Sequence, residues 1–282
     1  MADGHFGPTV VVKCGGVVAE RPEALCADLA DRYANGERLL LVHGGSSDID
    51  RIAGQLGVRQ RRLVGPGGVA GRYTDPETLA VVTMVLAGVV KPRLVEALVQ
   101  HGVPAIGLTG LDARLVTAMV KKPFRASLDG RSAIIRDDRS GRIATVDSVT
   151  LHRLLDAGLL PVLSPPAFGE DGPLNVDADR LAAAVAVAMG AQDLVLLSDV
   201  PGVLADPKDD RTVLPHYPVP LDGPPRISAG GMGAKLTAAR TALAAGVRVR
   251  IFSGLQPAPL SQALAGQGTE VVLETLAAAE PS

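Results

Sequence analysis

A chain of 282 residues, 47% hydrophobic and 21% charged, has enough apolar material for one large core or two modest ones, which excludes a disordered protein. Aromatic residues are only 2% and tryptophan is absent, so the core is aliphatic and the stacking platforms of a nucleic-acid binder are missing. The net charge of −2 conceals a concentration: Val58–Arg72 carries four arginines and no acid, Lys121–Arg142 nets +4, and the remainder carries −10.

From the start, MADGHFGPTV lacks the basic flank and apolar run of a secretory leader. Val10–Val12 and Leu39–Val42 are β-rich apolar runs, each followed by glycines and a helical pattern, the repeating unit of a parallel α/β sheet. Helices are predicted at Pro22–Ala34, Ser47–Leu56, Pro76–His101, Ser148–Ala157, Ala178–Met189 and Met232–Ala245. Strands are predicted at Ala105–Leu108, Leu160–Leu163, Leu194–Leu197, Val247–Phe252 and Thr269–Leu273. Lys91-Pro92 falls inside the third helix, where a proline costs about 3 kcal/mol unless the helix bends or restarts. Leu115–Thr145 breaks the alternation, and turn signals at Asp129-Gly130 and Ser140-Gly141 predict β-hairpins extending from the main sheet. Ser164–Pro173, rich in Pro, Gly and Ser, divides the chain into lobes of residues 1–165 and 166–282. Apolar stretches such as Leu181–Met189 are too short or too interrupted to span a bilayer. Two cysteines in apolar contexts, Cys14 and Cys26, offer no disulfide framework, so a soluble cytoplasmic protein is expected.

Five motifs carry chemistry. Lys13-Cys14-Gly15-Gly16 follows the first strand; its glycines let backbone N–H groups approach a phosphate, and the lysine adds a full positive charge. It is not a Walker A loop, whose lysine follows the glycines. His43-Gly44-Gly45-Ser46 puts backbone amides at a helix start, an anion site. His43 reads as a partly buried structural residue without a catalytic role. Asn175-Val176-Asp177-Ala178-Asp179 opens a helix: Asp177 suits the N-cap, while Asp179 either caps as well or turns into a cleft to hold a lysine. Ser198-Asp199 ends a strand, where ligands of open α/β sheets collect. Ala229-Gly230-Gly231-Met232-Gly233-Ala234-Lys235 puts a lysine in the first turn of a helix, where the dipole disfavours it and a compensating anion is expected. Each motif alone is equally a glycine turn, a cap or a solvated loop.

Their order is more specific. K-x-G-G, HGG, R-x-T-D, N-x-D-A-D, SDVPG and GGMGAK, strung over Thr9–Val272, resemble the amino acid kinase family, closest to its N-acetylglutamate kinase branch. TDPETLAVVTMVLAG resembles the long interlobe helix of that family, although Lys91-Pro92 replaces a pair that is often Asn-Lys. The resemblance implies the α/β class: a three-layer α/β/α sandwich with a largely parallel central sheet, two lobes, and a homodimer through the N-terminal lobes. It implies ATP, with Mg2+ held mainly by the ATP phosphates, phosphorylating a carboxylate. Lys13 and Lys235 would then neutralise the transferring phosphoryl group, with Asp179 orienting them. Gly44 and Gly45 would bind the acyl carboxylate, Arg72 the α-carboxylate, and Asn175 the substrate amide. Gly16, Ser198, Asp199, Met232 and Gly233 would line the nucleotide site. Cys14 is expected buried and neutral.

Within the branch, His43–Ser47, Gly65-Pro66-Gly67-Gly68, Gly107–Asp112 and Leu160–Pro166 resemble kinases acting on 2-aminoadipate or glutamate attached through the amino group to an acidic carrier protein. Ser46 stands where the arginine-pathway enzymes usually have a third glycine. Concentrated basic charge suits an acidic carrier, in lysine or arginine biosynthesis or a secondary pathway. The rivals are a free N-acetyl-L-glutamate kinase and a catalytically silent nucleotide sensor; retention of Lys13, Asn175, Asp179 and Lys235 disfavours the sensor.

Overall fold

The computed structural model describes residues 8–64, 70–227 and 230–274; most of the N-terminal stretch read for a leader, the Gly65–Gly68 motif and Ala229 lie outside them. The first half of the chain runs β1 (Thr9–Cys14), α1 (Val17–Glu20), α2 (Glu23–Ala34), β2 (Arg38–His43), α3 (Ser46–Gln55), β3 (Arg61–Val64), β4 (Ala70–Tyr73) and α4 (Pro76–Val85). A π-helical turn (Leu86–Val90) leads into α5 (Lys91–Gln100), β5 (Ala105–Gly110), β6 (Val116–Val120), β7 (Phe124–Leu128), β8 (Arg131–Ile135) and β9 (Gly141–Val146). The rest is α6 (Ser148–Asp156), β10 (Leu160–Ala167), α7 (Ala178–Ala188), β11 (Asp193–Ser198), β12 (His216–Val219), α8 (Gly230–Leu243), β13 (Arg248–Ser253), α9 (Pro259–Leu264) and β14 (Thr269–Leu273).

The main sheet has the order β12-β14-β13-β11-β1-β2-β10-β5. Its neighbours pair in parallel except β13 with β14, so β14 and the edge strand β12 run against the other six. β1 is buried at every position, as a central parallel strand covered on both faces must be. Alternate residues of a strand face opposite ways. Val11 therefore packs with Leu181 and Val185 of α7 and Leu236 of α8. Val10 and Val12 pack with Leu25 and Leu29 of α2 and with Val82, Leu86 and Leu94 of the long helix. This is the expected three-layer sandwich, with every parallel strand ending on one edge.

Several local expectations change. Asp129-Gly130 does turn β7 into β8, both residues at positive φ. These strands do not extend the main sheet; they join β3 and β4 in a separate sheet of order β4-β3-β7-β8, while β6 pairs with β9. A small core of Leu63, Tyr73, Ala126 and Ile135 lets that sheet close on itself. Ser140-Gly141 is no turn: Gly141 opens β9 and Ser140 bridges Asn175. β10 continues four residues beyond the predicted strand, through the first part of the Pro-rich stretch.

Pro76–Gln100 forms one 25-residue helix, long and apolar enough to cross a membrane by length and composition, contrary to the expectation that no stretch is. Its buried face, including Val81, Val82, Val85, Leu86, Val90, Leu94 and Leu98, packs against the sheet. Pro92 does not break it. The π-turn falls directly before, so the residue without an N–H enters in the first turn of a restarted α segment.

Candidate active site

Position 13 of β1 shares its face with Val11, toward α7 and α8, so the Lys13 side chain meets both helices. Lys13 Nζ donates to Asp179 Oδ1 at 2.9 Å. Lys235 Nζ, from α8, donates to the same oxygen at 3.1 Å and to Oδ2 at 3.3 Å. The three residues keep only 6–8% exposure. Asp177 caps α7 by accepting from Arg180 N at 2.9 Å, which leaves Asp179, two residues on, free to turn toward the lysines. Lys235 lies in the second turn of α8, not the first, because the helix begins at Gly230; its compensating anion is Asp179.

Burial alone would push the Lys13 amine down, but the charge and hydrogen bond of Asp179 outweigh it and the net shift is upward. Burial, reinforced by the charge of Lys13, pushes Lys235 below its ordinary value despite Asp179. Asp179 is desolvated too, yet the two ammonium groups hold its carboxyl below the usual range. The trio is thus a buried site with one positive charge in excess. Cys14, on the opposite face of β1, is buried and its thiol pushed up to about 12 by desolvation, against the pull of Lys13 and Lys235: neutral, as expected.

The diglycine turns stand side by side above the trio. Gly44 N donates to Cys14 O at 3.0 Å, tying the end of β2 to the end of β1. Gly16 sits at φ 53, ψ −134, a conformation that a side chain would strain. Gly45 is needed for space: a Cβ there would lie 2.8 Å from Val90 Cγ2 and 3.0 Å from Leu86 Cδ2. A Cβ on Gly44 would meet Ala178, the residue before Asp179, at 3.4 Å.

Arg72 and Asn175 are joined to the site indirectly. Arg72 donates to Asp50 Oδ1 of α3 at 2.6 Å and also to Gln60, and makes no hydrogen bond or ion pair with the lysine trio among the described residues. Asn175 Nδ2 donates to Thr74 Oγ1 at 3.1 Å, linking the R-x-T-D segment to the start of α7. Ser198 and Asp199 end β11 beside the end of β1, with Ser198 Oγ donating to Asp199 Oδ1 at 3.1 Å. Met232 is half-buried and Gly233 buried in the first turn of α8, where Gly233 O accepts from Thr237 Oγ1 at 2.8 Å. Neither pair makes a side-chain hydrogen bond or ion pair with the trio among the described residues.

Two site residues escape sequence reasoning. Asp138 Oδ1 accepts from Thr74 N and Ser140 Oγ, both at 2.9 Å, and Arg139 N donates to Thr74 O. The 138–141 segment therefore stitches Thr74 to Asn175. In sequence it is one polar run among several, and only the folded chain shows what it bonds. Lys91 is the other, noted as an anomaly in a helix and found almost completely buried.

Positive charge in excess over a buried carboxylate is what a phosphoryl group needs when it moves between two anions, so fold and site together define a kinase of α/β type. The chain belongs to the amino acid kinase family, whose sequence pattern matches residues 8–253. It is 40% identical over 265 residues to the LysW-aminoadipate kinase of Deinococcus radiodurans, covering 93% of this chain and 91% of the relative. It is 38% identical over 265 residues to the acetylglutamate kinase of Methanopyrus kandleri, covering 93% and 99%. A solved protein of Streptococcus mutans superposes with a TM-score of 0.73 at 24% identity, over 94% of this chain and 98% of that one, and shows the same fold.

Proposed function

We propose that the protein transfers the γ-phosphoryl group of MgATP to the side-chain carboxylate of an N-blocked acidic amino acid, 2-aminoadipate or glutamate, carried on an acidic protein. The observation that carries this reading is the convergence of Lys13 and Lys235 on Asp179 at the edge where the parallel strands end. A carboxylate already holds the attacking lone pair, so no general base is required. Its oxygen forms the new P–O bond as the bond to the β-phosphate oxygen breaks, and ADP leaves. The obstacle is anion–anion repulsion, which the two ammonium groups offset.

In this reading residues 1–165 take the acceptor and residues 166–282 the nucleotide. The backbone amides of Gly44 and Gly45 hold the reacting carboxylate, Arg72 exchanges Asp50 for the α-carboxylate, and Asn175 meets the amide. Gly16, Ser198, Asp199, Met232 and Gly233 surround ATP, whose phosphates bring the magnesium with them.

The carrier fits the charge distribution. Both arginine-rich segments of the sequence meet in the β4-β3-β7-β8 sheet, which with its flanking residues exposes Arg125, Arg131 and Arg136, and Arg59 and Arg62 paired with Asp129 and Asp50, near the strand bearing Arg72. Such a face steers an acidic partner toward the acceptor side. A homodimer would cover the apolar groove along α4, lined by Leu79, Ala80, Thr83, Met84 and Ala87. A soluble cytoplasmic enzyme of lysine or arginine biosynthesis is consistent with these features.

Incubation with MgATP and either N-acetylglutamate or an acidic carrier bearing aminoadipate or glutamate, followed by hydroxamate trapping and mass analysis, tests the proposal. Acyl phosphate on the carrier-linked acceptor supports it. Product with N-acetylglutamate alone would identify the enzyme with its acetylglutamate kinase relatives, and no product with any acceptor refutes carboxylate phosphorylation.

A further inference from the structure

Behind the Gly44-Gly45 turn, on the face of β2 away from the lysine trio, lie two buried polar side chains that the proposed chemistry does not use. His43 is fully buried, and its Nδ1 lies 3.0 Å from Gly44 O. A carbonyl oxygen only accepts, so Nδ1 carries the proton and Nε2 presents a lone pair. That Nε2 is buried and has no partner among the described residues. Lys91, 5% exposed, lays its stem against Gly107, where a Cβ would come within 2.8 Å of Lys91 Cδ. Its amine makes no hydrogen bond or ion pair among the described residues, and its charge reaches the His43 ring.

The electrostatics agree with this geometry. Burial, opposed by the Gly44 bond and helped by the charges of Lys91 and Lys13, pushes the His43 ring down to about 3. Burial pushes Lys91 down to about 8, with Asp112 alone opposing it. His43 is thus a neutral ring in the field of cations from α5 and β1, and Lys91 in that of one carboxylate, from the turn after β5.

The consequence for the turn follows from the peptide bond. In a planar trans peptide the C=O and the next N–H point opposite ways. Holding Gly44 O down onto His43 directs the Gly45 N–H away from the buried layer, and that N–H donates to nothing among the described residues. We propose that His43 is a positioning residue for the acceptor carboxylate: its Nδ1–H pins the Gly44 carbonyl so that the Gly45 amide points at the acceptor. Lys91, through a water donating to Nε2, keeps the ring in that tautomer. A water between a lysine amine and an imidazole lone pair has the polar partners it needs. The inference rests on the reading that the diglycine turn holds the acceptor.

The test uses three variants of the full chain and one measurement without turnover. Asn can reproduce the Nδ1–H donor and Leu cannot. His43→Leu should raise the acceptor KM about 10–100-fold with the ATP KM nearly unchanged, and His43→Asn should recover most of the loss. Nitrogen NMR of the unliganded wild type should show a neutral His43 ring protonated at Nδ1 from pH 6 to 8, and Lys91→Met should shift its Nε2 resonance. A ring protonated at Nε2, or one titrating near its ordinary value, overturns the proposal even if His43→Leu does not fold. An unmoved Nε2 resonance in Lys91→Met removes Lys91 from it. If the wild type phosphorylates a carboxylate and His43→Leu keeps the wild-type acceptor KM, this inference falls while the proposed function stands.

Discussion

Lys91→Met should make the protein more stable, and by an amount that depends on pH. In the folded chain the amine titrates at about 8 instead of 10.5, because burial penalises its charged form and only Asp112 opposes the penalty. Between those two values the unfolded chain holds a proton that the folded chain has released. The unfolded state binds more protons there, so wild-type stability rises with pH across the window. At pH 7 the folded protein carries the whole penalty, about 3 kcal/mol at 1.36 kcal/mol per pK unit. Methionine preserves the unbranched stem over Gly107 while removing the charge. The variant should gain up to about 3 kcal/mol over wild type at pH 7 and progressively less toward pH 10. Urea unfolding of both proteins at pH 7, 8.5 and 9.5 measures the difference. A gap that stays constant with pH, or a variant less stable than wild type at pH 7, would show that the amine lies in bulk solvent or is paired with an anion, and would refute the burial penalty.

Lys13→Ala and Lys235→Ala should each lower kcat with smaller effects on the ATP KM. A charge about 4 Å from the phosphoryl group at an effective dielectric near 20 contributes on the order of 4 kcal/mol before desolvation, so steady-state kinetics should show losses of roughly 100–1,000-fold. Near-normal turnover in either variant refutes the two-lysine scheme. Arg72→Ala should raise the acceptor KM strongly with kcat largely retained, since its guanidinium would bind the acceptor and not the phosphate in flight; a change confined to kcat contradicts this assignment. Asp179→Asn strands two buried ammonium groups and should destabilise the fold by about 3–5 kcal/mol, read as a lower urea midpoint. A midpoint at the wild-type value would mean that the lysines do not depend on that carboxylate.

The parallel core was legible because its signals are local and repeated. Val10–Val12 and Leu39–Val42 each lead into glycines and then a helix, and the strand–turn–helix unit admits few packings. Asp179 was legible only as an alternative to a cap; that Asp177 takes the cap and frees Asp179 is a matter of one hydrogen bond. What the sequence concealed lies where tertiary contacts decide. The four-residue strands β3, β4 and β12 have too few apolar residues to declare a period. Ser140-Gly141 carries turn residues yet bonds to Asn175, a partner far along the chain. The long helix reads as one element with a bend or restart at Pro92, and no pattern in single residues announces the π-turn that accommodates it. The two arginine-rich segments were visible separately, but their meeting in one sheet depends on a small core interleaved with those charges, Leu63, Ala126 and Ile135 with Tyr73 beside them, which no pattern within either segment pairs.

The three buried lysines of this edge explain one another. Each is costly in the unliganded protein, since an ammonium loses its hydration on burial. Asp179 offsets that cost for Lys13 and in part for Lys235, which is why the first shifts upward and the second downward. For Lys91 only Asp112 opposes the cost of burial, and the net shift is downward, to about 8. A fold selected for stability alone would replace it by an apolar residue of similar shape. In the proposed reaction the lysines of the trio meet the transferring phosphate, which would supply the missing counter-charge. Lys91 lies on the other side of the sheet, behind the diglycine turn and away from the phosphate of the proposed reaction. Its presence fits the proposed role toward His43 better than attraction for a substrate: burial first, and then the charge of Lys91, disfavours the charged ring, whose one proton sits on the nitrogen that bonds Gly44 O.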